Sequence, residues 1–355
     1  MPDLDTMLYH ANEMEASDLF IRGHARPALR VHGRIRETEF PPLSPEEVRQ
    51  LAYSKMTGRQ IEEFDRHHEM DLAFTLGEAC RIRTSVFMQR GSVGMANRLI
   101  PLRIRSLQEL GMPETLSEFI KSRNGLVLVT GPTGSGKSTT LAALIDLINE
   151  TRAVNIVTIE DPIEYVYEDK MAIISQREVG IDTDSFQEAL RRVLRQAPDV
   201  ILIGEMRDIE TMNVALQAAE TGHLVFATVH TASAAETLDR LSNMFAPHER
   251  PMLWLRLSVS LRGVVSQKLL PLADGTGRIA AVEVMVVNPT IAKMLEEGKS
   301  EDIYSQIRQA GEETYWGMQT MNQCLYKYVR AGLITPEEAL ANAGNYTEMR
   351  QMLRR

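Results

Sequence analysis

The sequence predicts a doubly wound α/β domain, with a smaller α+β domain ahead of it and a helical tail behind. Four short apolar runs, LVLVT (126–130), VNIVTIE (154–160), DVILIGE (199–205) and LVFATVH (224–230), alternate with helical segments. Apolar runs without polar alternation are what a parallel sheet shows when both its faces are covered. Residues 1 to about 100 instead hold short alternating segments, and the chain beyond Pro289 becomes mostly helical. A length of 355 residues is enough for two domains, each with its own core.

In chain order, MPDLDTMLYHANEMEASD starts as a polar helix, too acidic for a signal peptide, so the protein is expected to stay in the cytoplasm. DLFIR and ALRVHGRI read as strands, and SPEE at 44–47 as a capped helix start. His67, His68 and Glu69 read as a charged surface loop. DLAFTLGEACRIRTSVFMQR and VGMANRLI read as further strands, turning near Gly77 and Gly91. A helix-rich connection runs from Ser106 to about Arg123. The expected domains are 1–105, a linker 106–123, the α/β domain 124–288 and a helical region 289–355. Within the α/β domain, Lys137 to Glu150 places Leu141, Leu144, Ile145 and Ile148 at helical spacing, and Asp184 marks the start of SFQEALRRVLRQ. In the tail, Pro336 takes a first-turn position after Thr335.

Composition narrows the function. The net charge of −9, from 48 acidic and 39 basic residues, argues against a general nucleic-acid binder. Cys80 and Cys324 are the only cysteines, so no disulfide framework or four-cysteine zinc site can be built, and both are expected to be ordinary thiols. The most apolar stretch, MLWLRLSVSLRGVVSQKLL (252–270), is interrupted by Arg256 and Arg262. It falls short of the roughly 20 apolar residues of a membrane span.

Ligands of open parallel sheets lie beyond the carboxyl ends of the strands. The first run delivers Gly131, Pro132, Thr133, Gly134, Ser135, Gly136, Lys137, Ser138 and then Thr139 there, a full phosphate-loop pattern between a strand and a helix. Glycines let backbone N–H groups curl round the phosphates of ATP. Lys137 reaches the terminal phosphates, and the Ser138 hydroxyl ligates Mg²⁺. The second run ends in Glu160, Asp161 and Glu164, with Glu160 or Asp161 able to hold Mg²⁺ through its water shell. The third ends Gly204-Glu205-Met206-Arg207-Asp208. Glu205 is the first candidate for activating water and Glu164 the competitor, while Arg207 and Asp208 are expected to form an ion pair. The fourth is flanked by His223 and His230, and His230 at its carboxyl end is placed to sense the γ-phosphate.

LRQAPDVILIGEMRD (194–208) resembles the signature of the bacterial secretion and type IV pilus ATPases, and the phosphate loop, IEDPIEY and TGHLVFATVHT resemble that family's other boxes. SDLFIRGHARPALRVHGRI resembles the start of the PAS-like N-terminal domain of the retraction branch. GMQTMNQCL and the ALANA segment resemble the PilT/PilU motors, with PilU the nearer. The resemblance implies a RecA-like fold in a cytoplasmic hexamer that hydrolyses ATP beneath an inner-membrane platform protein and drives pilus retraction. It also implies roles for Lys137 and Ser138 at the triphosphate and metal, for Glu164 and Glu205 as acidic-box residues, and for His223 and His230 as histidine-box members. Arginines of the small domain are implied to complete a neighbouring site, with Arg81, Arg83, Arg90 and Arg98 as candidates; strand alternation lets only some of them face the phosphate. The segment 282–298 matches the family loosely and is more acidic, which leaves an accessory motor beside a paralogous ATPase as the alternative. A small-molecule kinase and a DNA translocase are weaker alternatives: the insertions are short where a kinase needs a lid, and the acidic balance opposes DNA.

Overall fold

The computed structural model describes residues 3–31, 33–101, 103–313 and 315–354. The chain divides into two compact units, Met1–Arg103 and Ile104–Arg355.

The first unit is an antiparallel sheet of β1 (Asp18–Arg22), β2 (Ala28–Val31), β3 (Arg34–Glu37), β4 (Glu69–Leu76), β5 (Cys80–Gln89) and β6 (Ser92–Pro101), in the order β3-β2-β1-β6-β5-β4. Strand period 2 sorts β5 cleanly. Cys80, Ile82 and Val86 enter a core with residues from helices Leu4–Glu13, Pro45–Tyr53 and Gly58–His67, while Arg81, Arg83 and Ser85 point to the other face. Ser44 caps the second helix with a full capping box. ALRVHGRI is a hairpin, β2 and β3, turning through Gly33 at φ +81°. The expected loop at His67 is a helix end instead: His67 closes Gly58–His67, His68 takes the left-handed cap at φ +66° and Glu69 opens β4.

The second unit is built on a sheet of β7 (Gly125–Thr130), β8 (Asn155–Glu160), β9 (Ile173–Glu178), β10 (Val200–Ile203), β11 (Leu224–Val229), β12 (Leu261–Pro271) and β13 (Arg278–Val286). Its order is β13-β12-β7-β11-β10-β8-β9, parallel throughout except for β13. The apolar runs follow from this. Leu126 and Leu128 of β7 enter the core on one face, while Val127 and Val129 enter the core on the other, against helix Lys137–Thr151. Strands β9, β12 and β13 extend the sheet beyond the four sequence runs. The 252–270 stretch hides β12 because helix Arg250–Ser260 passes into it at Leu261 with no intervening turn. Helix Phe186–Val193 is capped by Ser185, not Asp184: Ser185 has extended backbone (φ −160°) and its Oγ accepts the Glu188 amide at 3.2 Å.

Beyond β13 come helices Pro289–Glu296, Ile303–Glu313, Met321–Arg330, Pro336–Asn342 and Tyr346–Met352. Thr335 caps the fourth with Pro336 in its first turn. The last three pack with Leu270 and Ala281 in a small core that includes Cys324. Both cysteines are free and buried. Among the described residues no helix is long and apolar enough to cross a membrane.

Candidate active site

The loop after β7 is shaped by three glycines with positive φ, Gly131 (+147°), Gly134 (+78°) and Gly136 (+90°), the last of them the N-cap of helix Lys137–Thr151. A Cβ on Gly131 would lie 2.3 Å from the carbonyl oxygen of Gln267 and 2.5 Å from Ser135 Oγ, so no side chain fits there. Lys137 Nζ donates to the carbonyl oxygens of Gly131 (2.9 Å) and Pro132 (3.0 Å). Burial lowers the Lys137 pKa, and the charges of Glu205 and Glu164 oppose that fall, which places both carboxylates within electrostatic reach of the lysine. Pro132, Thr133 and Gly134 are exposed at the loop tip, and Ser138 is half-buried in the first helical turn. Thr139 Oγ1 lies 2.9 Å from the Tyr165 hydroxyl. Ser135 Oγ is buried with no hydrogen-bond partner, as expected of a loop hydroxyl awaiting an anion.

The backing of the loop was not legible in the sequence. Gln267, 2% exposed on β12, accepts from Thr140 Oγ1 at 2.9 Å and sets its amide nitrogen 2.8 Å from where a Gly136 Cβ would be. The one signal was a polar Ser266-Gln267 pair inside an apolar run. Ser266 in turn accepts from Thr130 Oγ1 at 2.8 Å.

Strands β10 and β11 bring Glu205 and His230 together. Glu205 Oε2 accepts from Arg207 at 2.6 Å, and His230 Nε2 lies 3.2 Å from Oε1. The Arg207 hydrogen bond holds the Glu205 carboxyl below the usual carboxylate range; partial burial works against it, and the charges of Arg207, His230 and Lys137 assist. Arg207→Ala is therefore expected to move the acid limb of the pH–turnover profile upward. A carboxyl with a depressed pKa stays ionised further into acid, and losing its partner returns protonation to higher pH. An unmoved limb in that variant would separate Arg207 from the chemistry.

The second strand end behaves differently. Glu160 is 8% exposed, accepts from Thr158 Oγ1 (2.6 Å) and Gln176 Nε2 (3.2 Å), and has its pKa raised by burial. It is thus occupied beneath the site, whereas Asp161 and Glu164 are exposed. Arg207 and Asp208 do not pair, contrary to the sequence expectation. Arg207 turns to Glu205, and Asp208 caps helix Ile209–Glu220 by accepting the Thr211 amide at 2.8 Å. His223 is likewise not brought to the site. It precedes β11, bonds Ala218 O through Nδ1 at 2.9 Å, and its carbonyl accepts from Gly125 at the start of β7. Six residues of strand, about 20 Å, separate it from the loop end of the sheet.

In the first unit, Arg83 and Arg98 are cross-strand partners of β5 and β6, and Arg81 shares their face. Arg98 is engaged by Asp18 at 3.2 Å, and Asp18 also holds Arg30. Arg90 sits at the β5–β6 turn with φ +47°.

A family model described as Type II/IV secretion system protein matches residues 1–328. The chain belongs to this family. The type IV pilus retraction ATPase PilT of Pseudomonas aeruginosa is 45% identical over 341 residues, covering 96% of this chain and 98% of PilT. The type IV pilus ATPase PilU of the same organism is 41% identical over 342 residues, covering 96% and 89%. A crystal structure of the pilus retraction motor PilT with bound ADP matches with a TM-score of 0.90 and 43% identity, over 99% of this chain and 100% of that one. Over the whole chain the identity to PilT exceeds that to PilU, against the expectation from the tail segments that PilU is the nearer. Family membership and the PilT match make the second unit a RecA-like P-loop ATPase fold and the chain an ATP-binding member of the retraction-motor group.

Proposed function

We propose that this protein is an ATP-hydrolysing motor that powers type IV pilus retraction, working as a hexamer at the cytoplasmic side of an inner-membrane platform protein. The observation that carries this proposal is the meeting of the phosphate loop, Glu205 and His230 at one end of a parallel sheet, in a chain 45% identical to PilT across 96% of its length. Residues 124–288 form the ATPase core, 106–123 its linker and 289–355 its helical extension. The antiparallel sheet with helices on one face supports a PAS-like N-terminal domain.

Lys137 exchanges its two carbonyl partners for the triphosphate, and loop amides from Gly131 to Gly136, with Ser135 Oγ, cradle it. Mg²⁺ fits the donor set. It commonly keeps waters and phosphate oxygens and needs few protein ligands. Ser138 offers a hydroxyl, and the exposed Asp161 and Glu164 offer water-mediated contacts. Among the described residues no cluster of three His, Cys, Asp or Glu side chains forms a metal cage, so the ion would be held together with the nucleotide. Bound there, it would neutralise charge on the phosphates. Glu205, held ionised, orients and deprotonates the attacking water, with Glu164 assisting at the loop. His230, 3.2 Å from Glu205, registers loss of the γ-phosphate.

Within the site Arg207 is committed to Glu205, so in this reading the positive charge needed in the transition state beyond that of Lys137 comes from a neighbouring copy. Arg81, Arg83, Arg90 and Arg98 are the candidates for that role. Turnover per chain should therefore rise with protein concentration in step with assembly, measured by phosphate release alongside sizing with ATP. An undiminished rate in a strictly monomeric fraction would sink the shared site. The acidic balance of segment 282–298, Glu283, Glu296 and Glu297 against Lys293, favours one second reading, an accessory ring that turns over only beside a paralogous motor. The rate of the protein alone distinguishes the two.

A further inference from the structure

A motor must pass the state of its nucleotide to a distant part of the chain, and one buried side chain joins the two ends of such a route. Glu283 on β13 is 2% exposed, the most deeply buried carboxylate among the described residues. Its Oε1 accepts the Ala234 amide at 2.8 Å and its Oε2 the Met321 amide at 3.4 Å. Ala234 opens helix Ala234–Met244, four residues after His230, and Met321 opens helix Met321–Arg330 in the tail.

Both amides belong to first helical turns, where N–H groups have no partner within the helix and the helix end favours an anion. Capping alone does not account for the carboxylate. Ser233 Oγ already accepts the Glu236 amide and Thr320 Oγ1 the Gln323 amide, both at 3.2 Å. Burying a carboxylate is costly, so one that spans two helices already capped has a task of its own. Burial pushes its carboxyl up from the usual range, while the two amides and the Lys268 charge pull the other way.

The contacts on either side are tight. Arg240 donates to the His230 carbonyl at 2.9 Å, and the Thr231 and Thr237 hydroxyls meet at 2.7 Å, so the His230 backbone is tied to helix Ala234–Met244. On the other side, Val284 and Gln319 exchange backbone hydrogen bonds of 2.8 and 3.1 Å, and Lys327 Nζ donates to Gln319 Oε1 at 3.0 Å.

We propose that Glu283 is a positioning residue that couples the nucleotide-dependent setting of His230 to the tail helices, by holding the first turns of helices Ala234–Met244 and Met321–Arg330 together. This rests on His230 responding to the γ-phosphate. Coupling requires a contact whose two partners change together, and Glu283 is the shared acceptor.

Hydrogen exchange on the full-length assembled protein tests it, comparing a non-hydrolysable ATP analogue with ADP. In the wild type, amides of 231–237 and of 321–330 should both exchange at least about fivefold more slowly with the analogue. In Glu283→Gln, nearly the same size but uncharged and with one acceptor fewer, the change at 231–237 should persist. The change at 321–330 should fall below about twofold, with analogue affinity held within about twofold. Should Glu283→Gln fail to assemble, the shorter Glu283→Asp serves, since it cannot reach both amides. Glue without coupling would lower the melting temperature yet leave the response at 321–330 intact, and that result overturns the proposal. No response at 321–330 in the wild type overturns it too. No response at 231–237 overturns the His230 reading itself.

Discussion

Lys137→Ala is expected to reduce ATP hydrolysis by at least about a thousandfold, because the phosphate loop then has no cation of its own. The lysine is held ready. Its ammonium is bonded to the Gly131 and Pro132 carbonyls, and those contacts are at hand to be exchanged for phosphate oxygens. Glu205 and Glu164 oppose the burial that lowers its pKa, so the same carboxylates that serve the water also support the charge on the lysine. Truncation leaves the loop's shape to its glycines and to Gln267, and the fold should survive with little change in melting temperature. Phosphate release with fluorescent-nucleotide titration checks both parts. Wild-type turnover in the variant would mean that ATP is hydrolysed elsewhere.

Glu205→Ala should separate binding from chemistry. Affinity for ATP is retained, since the loop and Lys137 are intact, while turnover falls by about a hundred- to ten-thousandfold, the usual worth of a positioned base. Glu205 is suited to that task by where it sits. Gly204 ties into β8 through Ile159 O at 2.8 Å and accepts from Thr228 Oγ1 at 2.5 Å, so the next residue leaves a rigid strand end. Arg207 and His230 then fix its carboxylate, and the arginine keeps it ionised. Glu164, exposed in the loop after β8, has no comparable anchoring, so Glu164→Gln should lose less. Single-turnover measurements on assembled protein decide the order. Normal turnover in Glu205→Ala with a dead Glu164→Gln would reverse the two roles.

Much of this site was readable in the linear chain because its features are local. A phosphate loop is made by consecutive backbone amides, and the residues that permit it, Gly131, Gly134 and Gly136, must be adjacent in sequence. The four central parallel strands were equally plain, since covering both faces leaves a run such as LVLV (126–129) apolar at every position. The failures have a common cause. Adjacency in the chain suggests that Arg207 pairs with Asp208, but the helix that starts at Ile209 claims Asp208 as its cap, which leaves the arginine to turn back to Glu205. The family resemblance implies site roles for both His223 and His230, yet they bracket one strand, and only His230 stands at the carboxyl end where the phosphate loop lies.

The sequence by itself determined that this chain grips a nucleoside triphosphate in a loop between a strand and a helix, and that carboxylates stand at the neighbouring strand ends. Its membership of the retraction-ATPase family was also written in those boxes. Only the tertiary structure decided which carboxylate meets a histidine, which glutamine supports the loop from behind, and which buried glutamate joins two helices. Those partners lie far apart in the chain: Gln267 meets Thr140 across 127 residues and Glu283 meets Ala234 across 49. Local chemistry sets the dihedral angles of a loop, whereas strand order and packing alone choose which distant side chains share a face.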